Sequence, residues 1–197
     1  MSIVGVVTDP RRQQILDAAF DAFLRYGYRR TTMDDIAKHV GLSRPTLYLT
    51  FPGKEAVFRA VVEAGHERIF DDIAAALPAA RSLPEQLEVV FEIWSVRPFE
   101  LVAQSPAAEE LMSGPFEFAS DLFRGATEQL TNLLADIIRA AVTRPDRLHP
   151  PAADQARVLV AAAHGLKSAA RDTADMRRLV HDLIALAVAG LPLRSSG

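Results

Sequence analysis

Apolar residues recur every three to four positions along most of the chain, and that spacing admits helices and little else. Ile15, Leu16, Ala19, Phe20, Phe23 and Leu24 fall on one face of a helix with 3.6 residues per turn, and Leu87, Val90, Phe91 and Trp94 do the same further on. Alternating β-branched runs are nearly absent, and no Asn-Gly or Asp-Gly pair marks a hairpin. The residues between the periodic stretches are those that start and stop helices. Asp9 followed by Pro10 opens the first helix and Gly27 closes it. Thr32, with Asp35 three residues on, opens a second that ends at Gly41, and Ser43 caps a third through Tyr48. A longer helix is expected from Lys54 to Leu77, stopped by Pro78, and Ser82-Leu83-Pro84-Glu85 starts the next. Pro98, Pro106 and Pro115 cut the following stretch into short pieces. Three more helices are expected over about 116–142, 152–171 and 175–189. The fold class is all-α, with about nine helices.

A chain of 197 residues has room for one large domain or two small ones, each with a real core. It contains no cysteine, which removes disulfides, thiolate metal sites and thiol-based sensing together. The five histidines show no i, i+4 pairing, so no metal and no cofactor is expected. There is no Gly-x-Ser-x-Gly, phosphate loop or dinucleotide turn, and the expectation is that the protein is not an enzyme. The longest apolar run, Leu183 to Leu193, is interrupted by Gly190 and Pro192 and falls short of the about 20 residues that span a bilayer. With no basic n-region before the N-terminal apolar patch, a cytoplasmic protein with no membrane partner is expected. The net charge of −3 argues against nucleic acid until it is divided. Residues 1–70 hold ten Lys/Arg and eight Asp/Glu, and the remainder is acidic.

The most informative block is Thr31 to Glu55, TTMDDIAKHVGLSRPTLYLTFPGKE. Two short helices joined by Val40-Gly41-Leu42-Ser43 have the length and turn chemistry of a helix-turn-helix. Ile36, Ala37, Val40, Leu42 and Leu47 would bury the angle between them. Arg44, Pro45, Thr46 and Leu49 would then face a major groove, with Tyr48 and Lys54 placed for phosphate oxygens. Tyr48 has a second reading, packing on the first helix. Arg11 and Arg12 either touch DNA or stand as a solvated pair.

In this block the chain resembles the TetR/AcrR family of bacterial transcriptional regulators. The matching positions are Ile15 to Phe20, Tyr26-Gly27-Tyr28, Thr31 to Ala37, Gly41-Leu42-Ser43, Thr46-Leu47-Tyr48, Phe51, Gly53-Lys54-Glu55 and Phe58. Ala161 to Lys167 and the final apolar helix resemble the family less specifically. The resemblance implies an all-α homodimer: an N-terminal three-helix helix-turn-helix DNA-binding domain over 9–54, and a C-terminal helical ligand-binding and dimerisation domain over 55–193. It makes Thr31, Thr32, Tyr48 and Lys54 backbone contacts. Pro45 and Leu49 depart from the family's usual small and polar or aromatic residues, so the target sequence does not carry over.

The resemblance also implies a small-molecule cavity in the C-terminal part. The aromatic-rich stretch there offers Phe91, Trp94, Phe99, Met112, Phe116 and Phe123 as lining, with Arg97 and His164 to orient an apolar or aromatic effector. For dimerisation, Val158, Leu159, Ala162 and Leu166 on one helix and Leu183, Leu186 and Ala187 on the next form wide apolar stripes. The expected function is a ligand-responsive repressor bound to a near-palindromic double-stranded DNA operator. The alternatives are an all-α small-molecule carrier or enzyme using the C-terminal cavity, and a transcriptional activator.

Overall fold

Helix α1 (Pro10–Arg30) begins as its composition demands. The Asp9 carboxylate accepts the Arg11 N–H at 3.1 Å, and Pro10 occupies a position whose N–H would have no partner. A computed structural model describes residues 9–113 and 116–193 of the chain, with the side chains of Met112 and Ser113 excepted. Within α1, Gly27 adopts φ 80° and ψ 163°, a region essentially closed to residues with a side chain. The regular helix therefore ends at Gly27, and a last turn leads to Thr31. A Cβ at Gly27 would also press against the Glu110 carboxylate.

Next come α2 (Met33–Val40), α3 (Arg44–Thr50) and α4 (Lys54–Ala76), the last followed by a 3₁₀ turn at Leu77–Ala79 where Pro78 interrupts it. Helix α5 (Leu83–Phe91) runs through a π-helical turn, Glu92–Val96, directly into α6 (Arg97–Ala103). The wider turn leaves Ile93, Ser95 and Val96 all buried. Then follow α7 (Ala108–Ser113), α8 (Ser120–Ala141), α9 (Ala152–Ala169) and α10 (Thr173–Val188). With α5, the π turn and α6 counted as one continuous rod, the described residues form nine rods. The fold is all-α as expected. Asp172 caps α10 by accepting the Asp175 N–H at 2.8 Å, which starts that helix at Thr173, two residues before the expected 175.

The chain forms two compact units, Met1–Asp71 with Leu101–Phe123, and Asp72–Glu100 with Arg124–Gly197. In the first, Ile15, Ala19 and Phe23 of α1 pack with Ile36 of α2, Leu47 of α3, and Val57, Phe58 and Val61 of α4. The Phe58 ring lies within 5.5 Å of the ring centres of Phe23, Tyr28, Phe116 and Phe118. Phe116 and Phe118 are thus part of this core, together with the fully buried Ala119. Arg59 fastens the same segment by a two-pronged pair with Asp121, at 2.6 and 2.7 Å, and by donating to the Phe118 carbonyl.

In the second unit α10 packs against α5 and α9, and the π turn touches both α9 and α10. Leu87, Val90, Phe91, Leu130, Leu134, Ile138, Ala156, Met176 and Ile184 are among its deeply buried side chains. The segment after α10 is held where the Thr143 N–H donates to the Pro192 carbonyl at 3.0 Å. Among the described residues no helix is long and apolar enough to cross a membrane.

The Arg59–Asp121 pair sets an expected acid response. The guanidinium holds the Asp121 carboxyl at about 2, below its ordinary 3.8. A carboxyl depressed on folding contributes in full above its unfolded value, and the contribution disappears as pH falls through its folded value. Denaturation of wild type and D121N should therefore differ near neutral pH, and the difference should shrink below about pH 4 and vanish only below about pH 2. A gap undiminished between about pH 4 and about pH 2 would assign the effect to shape and not charge.

Candidate nucleic-acid interface

Helices α2 and α3 are built from local codes. Thr32 caps α2 reciprocally: its hydroxyl accepts the Asp35 N–H at 3.2 Å, and the Asp35 carboxylate accepts the Thr32 N–H at 2.9 Å. The Thr32 hydroxyl, 2.6 Å from the same carboxylate, and then the Thr32 N–H lower the Asp35 pKa. At the far end Gly41 turns left-handed at φ 73°, and the Leu42 N–H closes the turn on the Ala37 carbonyl at 2.8 Å. Ser43 then caps α3 by accepting the Thr46 N–H at 3.3 Å. Fully buried Leu47 and Ile36 hold the two helices together. The result is a tight helix–turn–helix whose second helix is only partly covered.

The exposed face of α3 carries Arg44, Pro45, Tyr48 and Leu49. Leu49 is 88% exposed. The Arg44 guanidinium pairs with Asp34 at 3.3 Å and lies 5.5 Å from the centre of the Tyr48 ring, and these neighbours raise its pKa, Tyr48 first and Asp34 second. Tyr48 thus stands at the surface and does not pack away. Thr46 is half-buried, with its hydroxyl 2.7 Å from that of Ser43, so it serves the cap.

Three expected contacts sit differently. Thr31 is fully buried, and its hydroxyl donates to the Gly27 carbonyl at 2.6 Å, which leaves it no access to a phosphate. Lys54 donates from Nζ to the carbonyls of Tyr28 at 2.8 Å and Arg29 at 3.3 Å and lies 4.4 Å from the centre of the Tyr28 ring. The ammonium thereby covers the free carbonyl end of α1, where positive charge is favoured. Burial lowers its pKa, while Glu110 opposes that shift. Arg12 lies over Phe51, 4.7 Å from its ring centre, so it is not a freely solvated partner of Arg11. Sequence reasoning missed a basic hollow of about 350 Å³ beside the helix pair, lined by Tyr26, Arg30, Asp35, Lys38 and His39. The i, i+4 spacing of Asp35 and His39, and of Tyr26 and Arg30, was the available signal.

The residues expected to line an effector cavity do not gather. Phe91 and Phe99 are buried in the cores of their helices, and Trp94 is half-buried. Phe116 belongs to the first unit's core, and Phe123, 40% exposed, meets His66 edge to face. His164 is exposed on α9, and the Met112 side chain lies outside the described residues. Arg97 alone of these lines the open cleft of about 470 Å³ in the second unit. There Val89, Ile93, Val96 and Val180 supply apolar walls. Glu88 meets His181 at 3.1 Å and Glu92 meets Arg177 at 3.0 Å on the rim. Proximity in sequence misled because neighbouring aromatics were drawn into separate cores. Among the described residues no cluster of three or more His, Asp or Glu could hold a metal ion.

Of the expected dimer residues, Val158 and Leu186 are 60% and 76% exposed. Ala162, Leu166, Leu183 and Ala187 are half-buried. Leu159 is buried within its own unit and contributes no free surface.

Residues 15–61 match the family model described as bacterial regulatory proteins, tetR family. The HTH-type transcriptional regulator EthR of Mycolicibacterium smegmatis is 31% identical over 117 residues, 54% of this chain and 54% of that protein. The matched part thus spans about half the length of that relative. A solved transcriptional regulator from Cytophaga hutchinsonii has a TM-score of 0.76 over 93% of this chain and 100% of its own, at 21% identity. A transcriptional regulator from Saccharomonospora viridis in complex with choline has a TM-score of 0.70 over 95% and 100%, at 22% identity. At these identities the two structures establish a shared fold.

Proposed function

Through its N-terminal domain the chain belongs to the tetR family of bacterial regulatory proteins, and on that premise we propose that it is a cytoplasmic, homodimeric repressor of transcription. It binds a near-palindromic operator and is released by a small apolar or aromatic effector. The observation that carries this reading is the α2–Gly41–α3 unit with Arg44, Pro45, Tyr48 and Leu49 on its open face. In a dimer the two copies of α3 enter major grooves about 34–36 Å apart or a multiple of that. Arg44 reaches base edges, while Thr32 and Tyr48 serve the sugar-phosphate backbone, which positions but does not specify. Lys54 joins them only by giving up its carbonyls on α1.

The DNA-binding role falls to about residues 9–54 and the effector and dimer roles to 55–193. The cleft between α5, the π turn and α10 is the place for the effector, its apolar walls matching a ligand of that character and its charged rim allowing a polar end. The choline-bound neighbour supports small-molecule binding on this fold. An effector acts only by favouring one arrangement of α4 over another, in proportion to its differential affinity. Val158 and Leu186 supply the apolar centre of the dimer face.

The test is a gel shift with the DNA flanking the chain's own gene. A sequence-specific shift at moderate salt is expected. Arg44→Ala should cost about 1–3 kcal/mol and change which sequences are preferred, whereas Tyr48→Ala should weaken all sequences alike. Binding without sequence preference would end the proposal. Reporter output that rises without the protein marks a repressor, and output that falls marks an activator.

A further inference from the structure

Helix α3 has an unusual supply of groups for reading DNA. Arg44 is its single charged residue. The Thr46 hydroxyl is taken up with Ser43. With Tyr48 assigned to the sugar-phosphate backbone, what remains on the open face, four residues apart and so on one side of the helix, is the apolar pair Pro45 and Leu49. A single exposed leucine is ordinary on a protein surface. Here it lies one helical turn from an exposed proline ring, on the helix that the proposed function sends into the major groove.

The major groove offers donors, acceptors and one apolar group, the C5-methyl of thymine. Side chains with no hydrogen-bonding atoms discriminate there only through that methyl. We infer that Pro45 and Leu49 read thymine methyl groups, so that half-site recognition by this protein rests on methyl contact alongside the hydrogen bonds of Arg44. Four residues rise about 6 Å along a helix, less than two base steps of about 3.4 Å each. The pair therefore addresses one or two neighbouring base pairs. The guanidinium of Arg44 alongside, with Lys38 and Arg30 near the same helix pair, matches a polyanion as the occupant of this face and not the apolar surface of another protein. This inference rests on the DNA-binding reading above.

The test uses the full chain. Duplexes are selected from a random-sequence library at moderate salt, and each thymine of the selected half-site is then replaced in turn by deoxyuridine, which pairs identically but lacks the methyl. Binding should weaken about fourfold for each methyl contacted, the factor for one buried carbon, at one or two adjacent positions. Replacing that T·A pair by 5-methylcytosine·guanine should retain more affinity than replacing it by unmodified C·G. In Leu49→Ala, at an exposed site whose thermal melt should match wild type, the deoxyuridine penalty should vanish at that position while penalties elsewhere persist. Deoxyuridine without effect at every position, or a penalty unchanged in Leu49→Ala, would overturn the inference and leave DNA binding standing. Failure of the selection to enrich any sequence would overturn the DNA-binding reading, and the inference with it.

Discussion

Phe58→Ala should cost the N-terminal unit about 3–5 kcal/mol, the range for truncating a buried phenylalanine that its neighbours cannot collapse around. The Phe58 ring touches four others, with centres at 4.7 Å (Phe116), 5.0 Å (Tyr28), 5.3 Å (Phe23) and 5.5 Å (Phe118). The pairs with Phe23, Tyr28 and Phe118 are edge-to-face, a geometry that adds to the burial itself. Removing the ring deletes contacts to α1 and to the 116–118 segment at once, so relaxation of either one alone cannot close the gap. Chemical denaturation of the whole chain reads the loss, and a cost under about 1 kcal/mol would show that the cluster does not hold the unit. Specific DNA binding should weaken with it, since Tyr28 is also the residue whose carbonyl and ring receive Lys54.

A different kind of loss is expected for Leu186→Glu. The side chain is 76% exposed on α10, so a surface substitution should leave the fold within about 0.5 kcal/mol of wild type. At the centre of the proposed dimer face, however, the change would place two carboxylates in apolar surroundings, one from each copy. Sedimentation should then report a monomer. Operator affinity should fall about 10²-fold or more, because one copy no longer raises the local concentration of the other at the second half-site. A variant that stays dimeric and binds the operator normally would place the dimer interface elsewhere. Val158→Glu, on the adjacent α9, provides the independent check.

Helix boundaries were legible wherever a side chain answers a backbone group within a few residues. Asp9, Thr32, Ser43 and Ser82 each cap the helix their sequence context announces. Gly27 and Gly41 take the positive φ that their places require. The last helix was placed from about 175, whereas α10 begins at Thr173, because the Asp172 carboxylate accepting the Asp175 N–H is seen only in the structure. The helix-turn-helix could be read for the same reason: its turn and both caps are local.

The aromatic residues between 91 and 123 show where local reading ends. As a list, Phe91, Phe99, Phe116 and Phe123 suggest one lined cavity. In the fold, Phe91 and Phe99 are buried, Phe116 completes the core around Phe58, and Phe123 stands at the surface beside His66. Burial is non-directional, so an apolar side chain does not encode which core it will join. Thr31 was misread for a related cause: Asp35 three residues on marks Thr32 as the cap of α2, but nothing local says that the neighbouring hydroxyl turns inward to the Gly27 carbonyl.

By itself, then, the sequence determined the helical class, most of the helix starts and the helix-turn-helix with Pro45 and Leu49 on its second helix, all of which rest on interactions a few residues long. Tertiary structure alone decided that residues 101–123 join the N-terminal unit. It also decided that Lys54 covers the end of α1 and that Arg59 finds Asp121, 62 residues away. Such partners are chosen by how whole helices pack, and a charge or a ring in the chain carries no label for a partner that distant.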